Sequence, residues 1–394
     1  MGLRPAPSAA LECALTTAIE DLDRLEQEWR ALYDSALSPG PPQGYPFVRA
    51  AWQAYGGPSG KDFAVATCRQ DGRLVGLWPV CRTRSAGVHR LESVGFGAGE
   101  EYSGPLVLEG PASAKITRAL LRKLRDFGAV VKTTVPAGHP LVKPRITGFA
   151  RYSHAVSSPA IALRKHAAFE DWLSSKSAHF RARLRHDRRK LAEGRTVEVM
   201  DGHQGAASSA AIIDWQFEEK RRWLARKGAG SSWVRDDRAW ALMNVLAAQT
   251  DAATTGVEPW ALMVDGVPAA AAVCFVSSTA VELFMFVMNP QFSAYSPGFL
   301  LLENIARSAH GRGRNFDFRI TPEAYKLRWA DCKLDYRTFI IALTPAGYAT
   351  VLRAVLRSWT LPVRRFAKKR LMQIRAALTR SAGGALTAPK TGAA

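Results

Sequence analysis

Twice in this chain of 394 residues an Asp-Gly pair lies between two apolar runs, at Asp71-Gly72 and again at Asp265-Gly266. Such a pair is a strong short-range signal for a two-residue β-hairpin, because both turn residues must take positive φ. The first hairpin is expected over Phe63–Arg69 and Leu74–Arg82, the second over Trp260–Val264 and Val267–Val276. Further strands near Val88–Val94 and Pro105–Glu109, a helix at Ala114–Phe127 and a strand at Val130–Val135 follow the first. After the second come a strand at Ala280–Met288, a helix at Ser296–Gly311, a strand at Phe316–Ile320, a helix at Pro322–Trp329 and a strand at Tyr336–Leu343. The order of elements partly recurs over the 194 residues from Asp71 to Asp265, although identity between the halves is not evident. A duplicated α/β domain is the expectation.

Four segments follow. Residues 11–150 form a first α/β domain, opened by helices at Asp21–Tyr33 and Phe47–Tyr55. Residues 151–250 read as a basic helical segment belonging to the second half. Within it, residues 164–195 carry ten Lys and Arg against four Asp and Glu, and long helices are expected at Asp214–Arg226 and Asp237–Gln249. Residues 251–345 form the second α/β domain. Residues 346–394 read as a basic amphipathic tail with an apolar stripe of Leu352, Leu356, Trp359, Val363, Phe366, Leu371 and Ile374. After Asp335 there are 11 Lys and Arg and no acidic residue.

Composition narrows the partners. Lys and Arg number 54 and Asp and Glu 34, a net charge of +20, which favours an anionic ligand, polymer or membrane surface. Hydrophobic residues at 47% and charged residues at 22% are ordinary for a globular protein. The longest strongly apolar run, Val267–Val276, has ten residues, where about 20 are needed to span a bilayer. The start of the chain lacks a signal-peptide core, and Ala6 stands where a myristoylation motif needs Ser or Thr. Cys13, Cys68, Cys81, Cys274 and Cys332 are scattered, and no CxxC occurs. The expectation is a cytoplasmic protein with free thiols, peripheral to the inner face of the membrane if the tail engages it. Gly56–Lys61 fails the P-loop spacing, Gly95–Gly99 fails the dinucleotide-binding spacing, and neither HExxH nor GxSxG occurs. No metal site and no DNA partner are expected.

The stretch from Met288 to Trp329 is the most informative. The strand ending at Met288 is followed by Asn289–Tyr295 and then by Ser296-Pro297-Gly298, which opens a helix. Ser296 is a suitable cap, Pro297 fits the first turn, and Gly298 allows close backbone approach. A helix start with free N–H groups suits a diphosphate, although a Ser-Pro-Gly start is more often a plain cap.

The wider pattern includes Pro46-Phe47 with Trp52, Leu77-Trp78-Pro79-Val80 after the first hairpin, and Glu101-Tyr102-Ser103-Gly104-Pro105-Leu106. It continues with Phe180–Arg185, Arg188–Leu191, Tyr295–Leu302, Phe316-Asp317-Phe318 and Tyr325-Lys326. Over residues 20–345 this resembles the CelD/BcsL-type acetyltransferases of cellulose and exopolysaccharide synthesis, relatives of the Fem aminoacyltransferases. The resemblance implies an α/β (α+β) fold of tandem GNAT-like (acyl-CoA N-acyltransferase) domains with mixed central sheets, a helical insertion and a basic C-terminal helix. It implies acetyl-CoA or another acyl-CoA as cosubstrate, and an amine or hydroxyl of a sugar, polysaccharide or cell-envelope precursor as acceptor. The alternatives are a Fem-like transferase that uses aminoacyl-tRNA, with tRNA the less favoured partner, and a non-catalytic scaffold of an exopolysaccharide synthesis complex.

Residue roles follow from the same resemblance. Tyr295, Ser296, Pro297 and Gly298 would hold the cosubstrate, and a strand N–H around Val287–Asn289 would polarise the thioester. Tyr325 would protonate the leaving thiolate, Lys326 would steady negative charge, and Asp317 would orient the acceptor or act as base. Glu101, Tyr102 and Arg328 would contact the acceptor. Bland readings stand beside these: a half-buried tyrosine, a solvated lysine, a turn-capping aspartate, a surface loop. Glu282 reads either as a base or as a solvent-facing strand end. The usual Gly-containing turn after the Asp-Phe strand is missing, and Arg319-Ile320-Thr321-Pro322-Glu323 stands there.

Overall fold

The computed structural model describes residues 10–36, 39–56, 61–85, 87–95, 102–143, 148–201, 206–249, 256–320 and 323–359. Glu101, the leader through residue 9 and the tail from 360 to 394 lie outside the described residues. In chain order, β1 (Leu11–Thr16), α1 (Ile19–Arg24), α2 (Glu26–Ser35) and α3 (Tyr45–Tyr55) precede the first hairpin, β2 (Asp62–Gln70) and β3 (Arg73–Ser85). Then come β4 (Val88–Glu92), β5 (Leu106–Val107), α4 (Ser113–Leu124), β6 (Val130–Pro136) and β7 (Arg151–Ile161). Helices α5 (Phe169–Ser175) and α6 (Ala178–Ala192), strand β8 (Val197–Met200), and helices α7 (Ala206–Arg226), α8 (Ser232–Arg235) and α9 (Asp237–Ala248) follow. The second hairpin is β9 (Gly256–Val264) with β10 (Val267–Val276). After it come β11 (Ala280–Met288), α10 (Pro297–Gly311), β12 (Asn315–Asp317), α11 (Ala324–Trp329) and β13 (Cys332–Ala342).

Both Asp-Gly pairs turn as expected. Asp71 and Gly72 sit at φ 52° and 76°, Asp265 and Gly266 at 49° and 76°. Two successive positive φ values give the hairpin the twist of its strands.

The strands form one sheet, ordered β1-β2-β3-β4-β6-β13-β7-β12-β11-β10-β9-β8, with β5 paired to β3. The topology is the same read inward from either edge. Three antiparallel pairs come first, β1·β2, β2·β3 and β3·β4 on one side, β8·β9, β9·β10 and β10·β11 on the other. A parallel pair follows, β4·β6 and β11·β12. Parallel neighbours need a crossover rather than a tight turn, and α4 and α10 supply it.

At the centre the halves exchange strands. β7 follows the first half but pairs with β12, and β13 ends the second half but pairs with β6. The two exchanged strands pair with each other from Cys332↔Ala160 to Ile341↔Arg151. Residues 151–250 therefore supply β7 and β8 as well as helices, which corrects the helical expectation. β7 escaped a reading by pattern because it is polar, carries Pro159 and owes its place to partners distant in sequence.

Three cores result. α4 packs Ile116, Leu120 and Leu124 against Trp78, Val131 and Phe339. α10 packs Leu301, Ile305 and Ala309 against Ala270, Ala272 and Phe316. A third cluster joins the halves, with Trp29 and Phe47 from one side and Leu242 and Phe275 from the other; the Phe47 and Phe275 rings meet edge-on at 5.8 Å.

The parallel pairs separate soon after they form. In the first half β4 and β6 pair only at Arg90↔Val130 and Leu91↔Val131. Farther along, the chain occupies that edge of β6 itself. Ser103 N–H donates to the Thr134 carbonyl at 3.1 Å, and Trp78 Nε1–H donates to the Ser103 carbonyl at 3.1 Å. In the second half β11 and β12 pair from Ala280↔Asn315 to Glu282↔Asp317 and then part, and there a cavity opens.

Candidate active site

The cavity wall is the outer half of β11. Its register against β10 shifts between Val273 and Cys274, which leaves Phe284 as an extra residue. A bulge of this kind bends a strand and increases its twist. Buried Gln216 on α7 donates Nε2–H to the Met285 carbonyl at 2.9 Å beside it. Beyond the bulge, Asn289 N–H donates to the Ala269 carbonyl at 2.9 Å, so Asn289 faces β10. With Val287 opposite Ala271 in the same register, antiparallel alternation turns the N–H groups of Phe286 and Met288 away from β10, toward the cavity. The donor expected around Val287–Asn289 is thus narrowed: Asn289 and Val287 are spent on the ladder, and Met288 remains, joined by Phe286.

The cavity measures about 790 Å³ and is bounded opposite β11 by α11, α7 and the loop into α8. α11 brings Tyr325 and Lys326 to it, together with Glu323 at its N-cap. The Tyr325 ring stacks on Phe286 at 5.9 Å and 27°. Burial pushes the Tyr325 phenol up, and the neighbouring Glu323 carboxylate adds to the effect, so the hydroxyl keeps its proton. Lys326 is buried, with Nζ 3.6 Å from the Glu323 carboxylate. From α7, Lys220 has its ammonium pushed down by burial, and its Nζ lies 4.5 Å from the ring centre of Trp223. Trp233 also lines the cavity, and its indole N–H is buried without a hydrogen-bond partner among the described residues.

A second cleft of about 630 Å³ adjoins the first, and Phe299 lines both. It lies at the start of α10 and is strongly cationic, with Lys176, His179, Arg183 and Arg328 on its walls. Arg183 divides its guanidinium between Asp187, at 2.8 Å from Nε, and Ser296 Oγ, at 3.3 Å. Arg188 pairs with buried Glu303 at 2.6 Å and so ties α6 to α10. The basic run over Arg181–Lys190 therefore places one wall of this cleft.

The expected cosubstrate residues all lie at this junction. Ser296 takes a left-handed conformation at φ 50°, and its side chain caps nothing; its hydroxyl faces Arg183. Gly298 is buried, and a Cβ there would come within 2.6 Å of Met288 Sδ and of Phe286 Cζ. Its missing side chain makes room for this helix-on-strand packing. Pro297 is buried at the first turn of α10. Tyr295 is half-buried, with its hydroxyl 3.0 Å from Arg195 and its ring beneath Arg195 and Lys190. Arg328, expected beside Glu101 and Tyr102, lines the cationic cleft instead, because α11 turns it toward α6.

Asp317 is not in either cleft. It is buried at the end of β12 and accepts from Tyr102 Oη at 2.6 Å, from the Arg319 N–H at 2.7 Å and from Ser158 Oγ. Burial pushes its carboxyl up against these three donors, which pull it down. These contacts make Asp317 a buried tie, and it lines neither of the two clefts. Tyr102 is likewise buried and ties the halves together through Asp317; its ring lies 4.6 Å from that of Tyr336.

The missing glycine turn is explained here. Arg319 occupies the left-handed region at φ 60°, where a glycine would be free of strain and another residue costs about 1–2 kcal/mol. Its guanidinium is buried over the rings of Tyr102, Phe275 and Phe284 at 5.0–5.6 Å and lies 3.7 Å from Glu282. Those contacts offset the strain. Glu282 is accordingly buried, not a solvent-facing strand end.

Sequence reasoning missed Glu323, Lys220, Trp233, Lys176 and His179 as site residues. Glu323 had a local signal, three positions before Lys326 on one helix face. The others come from α5–α8, and no spacing in the sequence ties them to Tyr325.

Residues 178–327 match the family model described as an acetyltransferase (GNAT) domain. The matched segment is GNAT-like, and the strand order of the first half mirrors that of the second. Among solved structures, FemX shares 11% identity at a TM-score of 0.56, over 79% of this chain and 95% of that one. The C-terminal domain of a putative lysylphosphatidylglycerol synthetase from Agrobacterium fabrum shares 12% at 0.51, over 85% and 96%. A conserved protein of unknown function from Bacteroides thetaiotaomicron shares 12% at 0.51, over 82% and 97%. At such identities these likenesses show the fold alone. No curated protein sequence matches the chain significantly. Among the described residues, no cluster of three or more His, Cys, Asp or Glu could hold a metal.

Proposed function

We propose that the chain is an acyltransferase that moves an acetyl or other acyl group from acyl-CoA to an amine or hydroxyl of a sugar, polysaccharide or cell-envelope precursor. One observation carries this reading: the cationic cleft at the start of α10 meets the strand-splay cavity at Phe299. An extended thioester with a diphosphate at one end and a reactive carbonyl at the other needs such a paired space. Lys176, Arg183 and Arg328 would take the diphosphate, and the acyl group would enter the splay beside β11.

The chemistry then balances. The acceptor's nitrogen or oxygen attacks the thioester carbonyl, a C–N or C–O bond forms, and the C–S bond breaks. The N–H groups of Phe286 and Met288 point where the oxyanion develops. Glu323, in the cavity beside Lys326, accepts the acceptor's proton. Tyr325, protonated at neutral pH, donates a proton to the departing thiolate. Trp223, 41% exposed at the cavity, offers a flat face to a sugar ring, and the likeness to CelD/BcsL-type proteins supports such an acceptor.

Calorimetric titration with acetyl-CoA and longer acyl-CoA tests the donor site. Binding is expected, weakened about tenfold or more by Arg183→Glu or Arg328→Glu through loss of charge-assisted hydrogen bonds. Absence of binding by any acyl-CoA would remove the proposal. The aminoacyl-tRNA alternative rests on the net charge of +20 and predicts salt-sensitive binding of charged tRNA with transfer from it. A scaffold would bind neither donor.

A further inference from the structure

We infer that the helix over residues 348–359 docks on an anionic lipid bilayer. The helix is anchored at its start. Leu343 N–H donates to the Ala129 carbonyl at 2.8 Å, and Gly347 packs so closely on that carbonyl that a Cβ there would collide with it. Val351 is buried, and residues 354, 355 and 358 are partly covered. The adjoining face is apolar and uncovered among the described residues. Tyr348, Leu352, Leu356 and Trp359 are 51%, 58%, 49% and 71% exposed. At about 100° per residue these four fall within an arc of about 80°, a continuous ridge on one side of a helix held by its other side. Trp359 has the greatest exposure of any large apolar side chain among the described residues.

Charge chooses the occupant. Arg353 and Arg357 are exposed next to the ridge, on the side away from the packed face. The chain has 11 Lys and Arg and no acidic residue after Asp335. A second copy laid on this ridge would bring Arg353 and Arg357 of both copies together, which is unfavourable. A surface of anionic headgroups over acyl chains meets both features, with the ridge entering the acyl boundary and the arginines staying at the headgroups. Tryptophan at the end of such a ridge suits the interfacial layer.

The test is flotation of the full chain with phosphatidylcholine vesicles, with and without phosphatidylglycerol. Binding is expected only to the phosphatidylglycerol vesicles and should fall with salt. Leu352→Ser combined with Trp359→Ser should weaken it about tenfold or more, and Arg353→Gln less, while circular dichroism and thermal unfolding stay unchanged because these side chains are exposed. Three results would overturn the inference: no binding to either vesicle, equal binding to both, or undiminished binding by the double variant. Sedimentation showing a dimer that the double variant dissociates would assign the ridge to a second copy instead. None of these readouts depends on acyl-CoA, so the transferase proposal stands or falls separately.

Discussion

Asp317 shows how far a side chain's role depends on what surrounds it. Between Phe316 and Phe318 on a short strand it resembles a site carboxylate, yet it is held by Tyr102, Ser158 and the Arg319 N–H in a buried junction. Burial raises its pKa above the unfolded value. Its contribution to stability is therefore fully present below the unfolded pKa and is lost as pH rises through the folded one. Asp317→Asn has no such loss. The unfolding temperature of the variant relative to the parent should increase as pH rises above the unfolded pKa and level off beyond the folded one, and a flat difference would contradict the raised pKa. Tyr325 is the contrasting case, a residue that lines the cavity and to which the proposed mechanism gives the acid role. Tyr325→Phe should reduce turnover about a hundredfold and leave acyl-CoA affinity unchanged, measured by steady-state kinetics beside calorimetry. Unchanged turnover would move the proton donor elsewhere.

Among the elements, α10 and β11 make the site together. The helix start lies where it does because Gly298 lets Phe286 and Met288 press against the backbone, and those same two residues turn their N–H groups to the cavity. Gly298→Ala should cost about 1–3 kcal/mol in thermal or denaturant unfolding, the usual penalty of overpacking. Adding Met288→Ala should recover part of that loss, since it removes one of the two colliding side chains. Full additivity of the two changes would show that the contact is not the cause. The limits of α10 and β11 were legible in the sequence, from Pro297 at the first turn and from the apolar run through Met288. The bulge at Phe284 was not legible, because it arises from a register between two strands. β12 is shorter than expected for a related reason: Arg319 turns left-handed, held by contacts to β10, β11 and the first half.

At the scale of the whole molecule, the strand exchange governs cooperativity. β6 has β13 as its neighbour and β12 has β7, so neither half completes its sheet alone. Residues 11–150 produced by themselves would expose the edge of β6 and should aggregate or remain unfolded in size-exclusion and circular-dichroism measurements. The full chain should unfold in a single calorimetric transition. A soluble, cooperatively folding first half would show that the exchange is dispensable. The halves also differ at their splays. The first fills its splay with Ser103 and its neighbours, whereas the second leaves its splay open, so one site per chain is expected.

The sequence by itself determined the duplicated α/β architecture, the two hairpins, the helix start at Pro297 and the cationic character of α6, because turn chemistry, periodicity and charge are local properties. Tertiary structure alone decided that β7 and β13 trade places, that Asp317 and Tyr102 tie the halves together, and that Arg328, Lys176 and Arg183 gather at one cleft. Each of those depends on residues far apart in the chain, whose meeting is set by sheet order and by burial rather than by spacing.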